Sequence, residues 1–344
     1  MKQRRISLKD LAKELNVSIA TVSRALRGSH EVGEEMTRKV KELAQKLNYR
    51  PNPFAQSFRK EAPRIIGVIV PNLVTHYYAS VLDGIEEYAS LNGYSVISAN
   101  SHENHEIEKK AIDNFISMHV EGIIACLAQD TVDYSHFEEI HEMGLPLVFF
   151  ARTCLADKFS QVVANGDEAA YEATQHLIKS GSRRIAFIGG PNHLDMVRRR
   201  KHGYLEALKE AKIPIDRSLV ACDKIDFNLA REKTINLLNS ENRPDAILAF
   251  NDIITYAAFD AIKSVGLRIP DDVAIIGFTD GDSAAFVTPR LSAIMDQAHI
   301  QGEKACELLL RNINGDKRIY REVVPMILKI RDSSTKYVGV RGER

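Results

Sequence analysis

The 344-residue chain lacks the marks of a membrane or secreted protein. It has no run of roughly 18 uncharged apolar residues, which is the length that a membrane-spanning helix needs. Its first ten residues, MKQRRISLKD, contain no apolar run of the kind found in signal peptides. We therefore expect a protein that does not enter a membrane and that stays in the cytoplasm.

Cysteine is scarce, and no C-x-x-C pair occurs among Cys126, Cys154, Cys222 and Cys306. Three of the four lie in apolar segments, where a buried thiol is the usual outcome. Two histidine pairs could suggest metal ligands, but no third ligand cluster accompanies them: His102 with His105, and His136 with His141. We expect no disulfide and no metal site, and we interpret these histidines as solvated surface residues.

Motifs of nucleotide chemistry and of catalysis are also missing. No G-x-G-x-x-G follows the first apolar strand, and there is no P-loop lysine. The glycine-rich IGGPNH at 188–193 lacks the fingerprint spacing and is interpreted as a tight turn between strand and loop. No Ser-His-Asp arrangement or paired-carboxylate motif stands out either. An enzyme is therefore the weaker hypothesis, and no cofactor and no catalytic residue are expected.

The net charge of zero conceals an uneven distribution along the chain. Residues 1–62 carry fourteen Lys or Arg against seven Asp or Glu, whereas the remainder carries 32 basic against 39 acidic residues. A basic segment on an acidic body suits the neutralisation of phosphates, although a charge run alone is usually a solvated face.

Residues 7–27 predict two short helices joined by a tight turn. Ser7 and Asp10 form a capping box, and the apolar residues after them recur with the spacing of one helix face. Ser18 supplies a second N-cap, and Gly28 ends the second helix. This pattern predicts a helix-turn-helix; the alternative is an ordinary helical hairpin within a core.

A third helix is predicted from about residue 34 to 47, with Asn48 as its C-cap. Two prolines in the following segment, YRPNPFAQSFRK, prevent this helix from continuing and favour a separate short one. Phe54 and Phe58 lie four residues apart on one face of that short helix. Such a face needs a partner surface.

From residue 64 onward, apolar strands alternate with amphipathic helices. The strands form two sets of four: 64–70, 94–100, 122–128 and 145–151, then 184–190, 218–223, 246–250 and 273–278. Uniformly apolar runs separated by helices are typical of doubly wound parallel sheets that are covered on both faces. The segments 291–297 and 322–330 follow the second set. We expect them to cross back and complete the first lobe, with crossings near residues 162, 293 and 325.

Several segments together carry a resemblance to one family. They are SLKDLAKELNVSIATVSRAL, EEMTRKVKELAQKLNYRPNPFAQSF, GVIVPN, EGIIA, RRIAFIGGP, FND and IPDDVAIIGF. With them the chain resembles the lactose-repressor (LacI/GalR) family of bacterial transcription regulators along nearly all of its length. The resemblance implies an N-terminal all-α helix-turn-helix head, a hinge helix, and an α/β body of two doubly wound parallel-sheet lobes like a periplasmic sugar-binding protein.

The resemblance also implies where the domains begin and end. The expected division is a DNA-binding head (1–48), a hinge helix and linker (49–62), a discontinuous first effector-binding lobe (63–162 plus 293–333), a second lobe (163–292) and a basic tail (334–344).

In this family the second helix reads the major groove, which here implies base contacts from Ile19, Ala20 and Arg24. The two apolar side chains favour thymine methyls, and the arginine can bind guanine with two hydrogen bonds. The implied phosphate contacts are Ser7, Ser18, Thr21 and Arg27. The implied minor-groove contacts of the hinge are Ala55, Phe58 and Arg59, with Phe58 as an apolar wedge between base steps. Packing of Phe58 against the body or against Phe54 is the alternative.

The same resemblance implies an effector site between the lobes, formed by Tyr77, Tyr78, Arg152, Arg200, Phe227, Asn251, Asp280 and Asp296. Burial in the core is the alternative for the aromatic residues, and a solvated face is the alternative for residues 198–201. Two positions depart from the family. Ala151 and Thr279 stand where many relatives carry aspartate, and with Arg200 kept this favours an anionic effector such as a sugar phosphate or sugar acid.

The expected function is that of a sequence-specific transcriptional repressor controlled by a small effector, a sugar or sugar derivative. Two heads of a homodimer would bind a near-palindromic operator in double-stranded DNA. The tail SSTKYVGVRGER has no leucine heptads, so a dimer is the simplest assembly. The alternative is a sugar-binding or sugar-modifying protein with an incidental basic head.

Overall fold

A computed structural model describes residues 6–26, 28–47, 49, 63–279 and 283–336. The chain forms two compact units, residues 1–63 and residues 64–344. Some of the predictions lie outside the described residues: those for Asn48, Arg27, Ala55, Phe58, Arg59 and Asp280, together with the hinge helix and the end of the tail.

The first unit contains the predicted helix-turn-helix and the predicted third helix. Its helices are α1 (Leu8–Glu14), α2 (Ile19–Leu26) and α3 (Glu34–Lys46). The capping box is present, since Asp10 accepts the backbone N–H of Ser7 at 2.8 Å while Ser7 accepts that of Asp10 at 3.4 Å. The buried core consists of the predicted apolar face, namely Leu11, Ala12, Val22, Ala25, Val40 and Ala44. These observations confirm the three-helix head.

The second unit alternates strands and helices, as predicted. Its strands are β1 (Ile65–Val70), β2 (Ser95–Asn100), β3 (Gly122–Ala125), β4 (Leu147–Phe150), β5 (Ser160–Ala164), β6 (Ile185–Gly189), β7 (Val220–Cys222), β8 (Ala246–Ala249), β9 (Ala274–Phe278), β10 (Ser292–Met295), β11 (Arg321–Val324) and β12 (Ile327–Lys329). Its helices are α4 (His76–Leu91), α5 (His105–Ser117), α6 (Ser135–Met143), α7 (Gly166–Lys179), α8 (Asp195–Glu210), α9 (Phe227–Leu238), α10 (Asp252–Ser264), α11 (Ser283–Phe286) and α12 (Ala298–Ile313). Two short 3₁₀ turns add Arg217–Leu219 and Asp332–Ser334.

These strands form two six-stranded sheets, one in each lobe. The orders are β11-β5-β4-β3-β1-β2 and β12-β10-β9-β8-β6-β7, and all neighbours are parallel except β12, which runs antiparallel to β10. The expectation of four strands in each lobe is therefore corrected to six. The four added strands are short, and all of them lie next to the points where the chain passes between the lobes.

The crossings differ from the expected ones in detail. Strand β10 pairs with β9 and belongs to the second sheet, so the chain returns to the first lobe just after residue 295, slightly later than the expected crossing near 293. Of the segment 322–330, only β11 completes the first sheet, while β12 joins the second. Asn165 ties two crossings together, because its side-chain oxygen accepts the N–H of Met326 at 2.7 Å.

The central strands are buried on both faces, which explains their uniform apolar composition. In β1, Ile66 and Val68 pack with one group of buried side chains, while Ile65 and Ile69 pack with another on the opposite face. The second sheet is covered in the same way by two further groups. No described helix has the length and apolar character needed to cross a membrane.

All four cysteines are free, as expected. The expectation of solvated histidines holds for His102 and His141. It is wrong for His136, which is 2% exposed, and His105 is half-buried, with its Nδ1 buried. His136, the second residue of α6, is buried together with Glu108 of α5: its Nε2 lies 3.1 Å from a carboxylate oxygen of that fully buried glutamate.

The close contact between α7 and α8 generates a prediction for stability. A Cβ at Gly203 would collide with the carbonyl oxygen of Asp167, which belongs to the backbone and cannot rotate away. Gly203→Ala should therefore lower the free energy of unfolding by about 1–3 kcal/mol, measured by urea denaturation. The neighbouring exposed His202→Ala is the control and should change it little. Equal stability of both variants would contradict the packing argument.

Candidate functional site

The outer face of α2 presents the three side chains that were predicted to read bases. Ile19 is 41% exposed and Ala20 is half-buried, so neither residue belongs fully to the core. Arg24 is exposed and forms an ion pair with Glu31 at 3.1 Å. Such an exposed pair contributes about 1 kcal/mol or less, so the guanidinium can leave it for a stronger partner.

The hydroxyl groups predicted to contact phosphate lie at helix N-termini. Ser18 accepts the backbone N–H of Thr21 at 3.0 Å, and the two side-chain oxygens are 2.9 Å apart. Ser7 donates its hydroxyl to Asp10 at 2.6 Å. The N-terminus of a helix, with its free N–H groups, is a favourable position for an anion, so the start of α2 is a suitable place for a DNA phosphate.

The second unit has a cleft where the carboxyl ends of strands from both sheets meet. It contains about 570 Å³ of empty space, part of which is open to solvent. Six of the predicted effector residues line it: Tyr77, Tyr78, Arg152, Arg200, Asn251 and Asp296. Phe227 does not; it is 41% exposed at the start of α9. Its predicted role finds no support in this arrangement.

Arg200 is held in the cleft by both polar and aromatic contacts, although only 3% of it is exposed. Its guanidinium donates to the carbonyl of Phe250 and to Asp296, the latter at 3.3 Å, and it lies 3.8 Å from the ring centre of Phe278. Burial lowers the pKa of Arg200, and the charge of Asp296 opposes this effect. The solvated-face alternative is therefore excluded for Arg200.

Arg152 forms a buried ion pair that sequence reasoning did not find. Its two terminal nitrogens donate to the two carboxylate oxygens of Glu103 at 2.6 and 3.0 Å. Glu103 follows β2 and also lines the cleft. Both Glu103 and Ala151 line the cleft, so the cleft has a carboxylate although residue 151 is alanine. The only signal in the sequence was the position of Glu103 shortly after an apolar strand.

Two tyrosines at the start of α4 form the aromatic part of the cleft. Their rings meet edge to face, with centroids 5.1 Å apart. Tyr77 donates its hydroxyl to Gln301 at 2.7 Å, and burial raises the pKa of both tyrosines well above the ordinary value. Both therefore remain neutral near pH 7 and offer hydroxyl groups, not charges.

Several buried polar atoms of the cleft have no hydrogen-bond partner within residues 63–279 and 283–336. They are Thr75 Oγ1, Arg152 Nε, Arg200 Nε and Thr279 Oγ1. An unpaired buried polar group costs about 1–3 kcal/mol, so such groups are uncommon unless a ligand satisfies them. Asn251 also lines the cleft, and its side-chain oxygen accepts the N–H of Ile254 at 3.1 Å as the N-cap of α10.

A loop after β3, in the first lobe, forms hydrogen bonds with the second lobe. The N–H of Gln129 donates to Glu103 at 2.8 Å. The side-chain oxygen of Gln129 accepts the N–H of Ile225 at 2.8 Å, and its carbonyl accepts from Nε2 of His193 at 2.7 Å. Glu103 therefore contacts Arg152 on one side and, through Gln129, the second lobe on the other.

A helix-turn-helix unit followed by a two-lobed α/β unit with a polar cleft defines a class, that of regulators which combine a DNA-binding head with a small-molecule sensor. Comparison with known proteins agrees. Residues 7–52 match the family described as bacterial regulatory proteins, lacI family, and residues 174–334 match the periplasmic binding protein-like domain.

Relatives match nine tenths of the chain or more. Catabolite control protein A of Priestia megaterium is 30% identical over 314 residues, which cover 90% of this chain and 93% of that protein. The HTH-type transcriptional repressor PurR of Actinobacillus pleuropneumoniae serotype 3 (strain JL03) is 30% identical over 315 residues, covering 92% and 93%.

Among solved structures, the transcriptional regulator CelR–cellobiose complex has a TM-score of 0.73 and 26% identity, and covers 96% of this chain and 100% of that one. The chain therefore belongs to the lacI family of bacterial regulatory proteins.

The contacts of Gln129 generate a prediction. Gln129→Leu keeps the side-chain bulk but leaves the N–H of Ile225 without its acceptor, so hydrogen exchange of that amide should become faster. The free energy of unfolding should fall by about 1–3 kcal/mol. Hydrogen exchange followed by mass spectrometry measures the amide, and denaturation measures the stability.

The matched control is Gln175→Leu, since Gln175 donates to Tyr171 within α7 and has no contact with the loop. It should leave exchange at residues 223–227 unchanged. If Gln129→Leu also left it unchanged, the side chain of Gln129 would not contribute to the contact between the loop and the second lobe.

Proposed function

We propose that this protein is a transcriptional repressor that binds a near-palindromic operator as a homodimer and is controlled by a neutral, polyhydroxylated effector, a sugar, in the cleft between its lobes. Two features of the cleft support a neutral effector. Both arginines are already in ion pairs with carboxylates. The buried hydroxyl groups of Thr75 and Thr279 have no hydrogen-bond partner in the described part of the chain. Acting on DNA, such a protein would work in the cytoplasm.

The charges of the cleft favour a neutral ligand. Arg152 is already bound by Glu103, and Arg200 by Asp296. With Asp252 also in the lining, carboxylates outnumber guanidinium groups. A phosphate or carboxylate would face these acids, whereas sugar hydroxyls can both donate and accept. The anionic effector stays a prediction, but the geometry supports the neutral alternative, as does the cellobiose in the related CelR structure.

The head supports the DNA-binding part of the proposal. Ile19 and Ala20 would contact thymine methyls, while Arg24 would leave Glu31 to bind guanine. Ser7, Ser18 and Thr21 would lie at the phosphates near the helix starts. Arg27 and the hinge residues Ala55, Phe58 and Arg59 belong to the same proposal.

The proposed coupling between effector and DNA is a shift between two states of lobe closure. A ligand in the cleft contacts Arg152 of the first lobe and Arg200, Asn251 and Thr279 of the second, so it binds differently to open and closed forms. Only this difference in affinity can change the equilibrium. In a dimer, the same change would decide whether the two proposed hinge segments can pair.

The division of labour along the chain is part of the proposal. Residues 1–48 would read DNA, residues 49–62 would form the hinge, and the two lobes would bind effector. The relatives are transcription regulators, which disfavours an enzyme or a sugar-binding protein with an incidental head. Salt-dependent binding of the full-length protein to sequences selected from random DNA would support the repressor; its absence would favour that alternative.

Thr279 allows a test of the effector site that spares the fold. Thr279→Val removes a hydroxyl that has no partner in the described part of the chain, so unliganded stability should be unchanged or slightly higher. Affinity for the sugar should fall roughly tenfold, because one hydrogen bond is lost. A thermal-shift screen of neutral sugars, including ribose and cellobiose, against sugar phosphates and nucleobases identifies the ligand, and calorimetry measures its affinity.

Thr234→Val is the matched control. Its hydroxyl is also buried in the second lobe but donates to the carbonyl of Ala230 within α9, outside the cleft lining. This variant should bind as tightly as the unmodified protein. A stabilising ligand found only among sugar phosphates would contradict the neutral effector, and unchanged affinity of Thr279→Val would remove Thr279 from the site.

Arg24 allows a test of base reading. Arg24→Ala should relax the preference at one base pair in each half-site, by about 1–3 kcal/mol of discrimination. Lys39→Ala removes the same charge from an exposed position on α3 and should leave the sequence preference intact. Selection from random DNA followed by anisotropy titrations measures both. Equal losses of Arg24→Ala on specific and random DNA would make Arg24 a phosphate contact only.

A further inference from the structure

Glu31 lies beside the arginine that was predicted to read a base, although it is outside the recognition helix α2. This helix is followed by a left-handed residue, Gly28, whose φ is 71°. The N–H of Gly28 donates to the carbonyl of Ala25 at 3.1 Å, and that of Ser29 donates to the carbonyl of Arg24 at 3.1 Å. These two bonds form a Schellman motif, which ends a helix and changes the direction of the chain.

This turn fixes the position of Glu31 relative to Arg24. The backbone N–H of Glu31 donates to the hydroxyl of Ser29 at 3.4 Å. A carboxylate oxygen of Glu31 lies 3.1 Å from Nε of Arg24, and the two side chains are 67% and 53% exposed. The carboxylate therefore lies at the surface of the head, next to the guanidinium that is proposed to enter the major groove.

The spacing of these two charged groups suits neighbouring base pairs. Successive positions along a DNA strand are about 3.4 Å apart, which is close to the 3.1 Å between Glu31 and Arg24. When Arg24 turns to guanine, Glu31 loses its ion-pair partner. A carboxylate beside the negatively charged DNA backbone then needs a hydrogen-bond donor, because it would otherwise be desolvated and repelled.

Two bases offer such a donor in the major groove, cytosine with its N4 amino group and adenine with its N6 amino group. In adenine the acceptor N7 lies beside the amino group and would repel the second carboxylate oxygen, whereas cytosine presents its amino group without a neighbouring acceptor. We propose that Glu31 is a further base-reading residue, which selects cytosine at the base pair next to the one that Arg24 reads. This inference rests on the proposed repressor function.

Glu31→Gln tests the inference, because a glutamine amide can bind adenine by donating to N7 and accepting from the N6 amino group. Sites selected from random DNA by the full-length protein should contain cytosine next to the guanine, and sites selected by the variant should contain adenine at that position. The preference for guanine should remain in both. In anisotropy titrations each protein should bind its own selected site roughly tenfold more tightly than the other site.

Glu35→Gln is the matched control. It removes the same charge from an exposed glutamate of α3, which pairs with Lys39 at 2.8 Å, and it should keep the preference for cytosine. The inference would be overturned if Glu31→Gln kept that preference, if it relaxed only the preference for guanine, or if it merely raised the affinity for all sequences as Glu35→Gln does. The repressor function would survive each of these results. An unmodified protein that selected no sequence at all would contradict both the inference and the proposed function.

Discussion

The buried ion pair between Arg152 and Glu103 is the interaction on which the sensor depends. Both side chains are largely removed from water, with 4% and 17% exposed. Removing one partner of such a pair costs about 3–5 kcal/mol, because the other charge is left unpaired. The pair neutralises the charge of Arg152 within the cleft. Through Gln129 it also fixes the loop that reaches the second lobe.

This arrangement gives lobe closure a physical link to ligand binding. Under the proposed function, a sugar that contacted Arg152 would act on a guanidinium whose partner, Glu103, already holds Gln129. Gln129 in turn accepts hydrogen bonds from Ile225 and His193 of the other lobe. A change at one end of this chain alters the free energy at the other, and the effect must be reciprocal. The three crossings between the lobes permit the movement, while Asn165 ties two of them together.

The features that the sequence predicted correctly are those that depend on local patterns. Capping residues and helical spacing identified the three-helix head, apolar runs identified most strands, and the family resemblance assigned Tyr77 and Arg200 to the cleft. The sequence analysis did not find Glu103 and Gln129, because their contacts join residues that are distant in sequence. A single glutamate after a strand gives no local signal. His136 was misjudged for the same reason: its burial depends on Glu108, which lies on another helix.

The loop from Leu127 to Thr131 is held from two directions by carboxylates. Glu103 binds its Gln129, while Glu108 binds Ala128 and Thr131. The first carboxylate lines the effector cleft, whereas the second lies on α5, outside the cleft lining. Because both carboxylates hold this loop, the position of Gln129 depends on both of them. The hydrogen bond from Ile225 of the second lobe to Gln129 depends on them in turn.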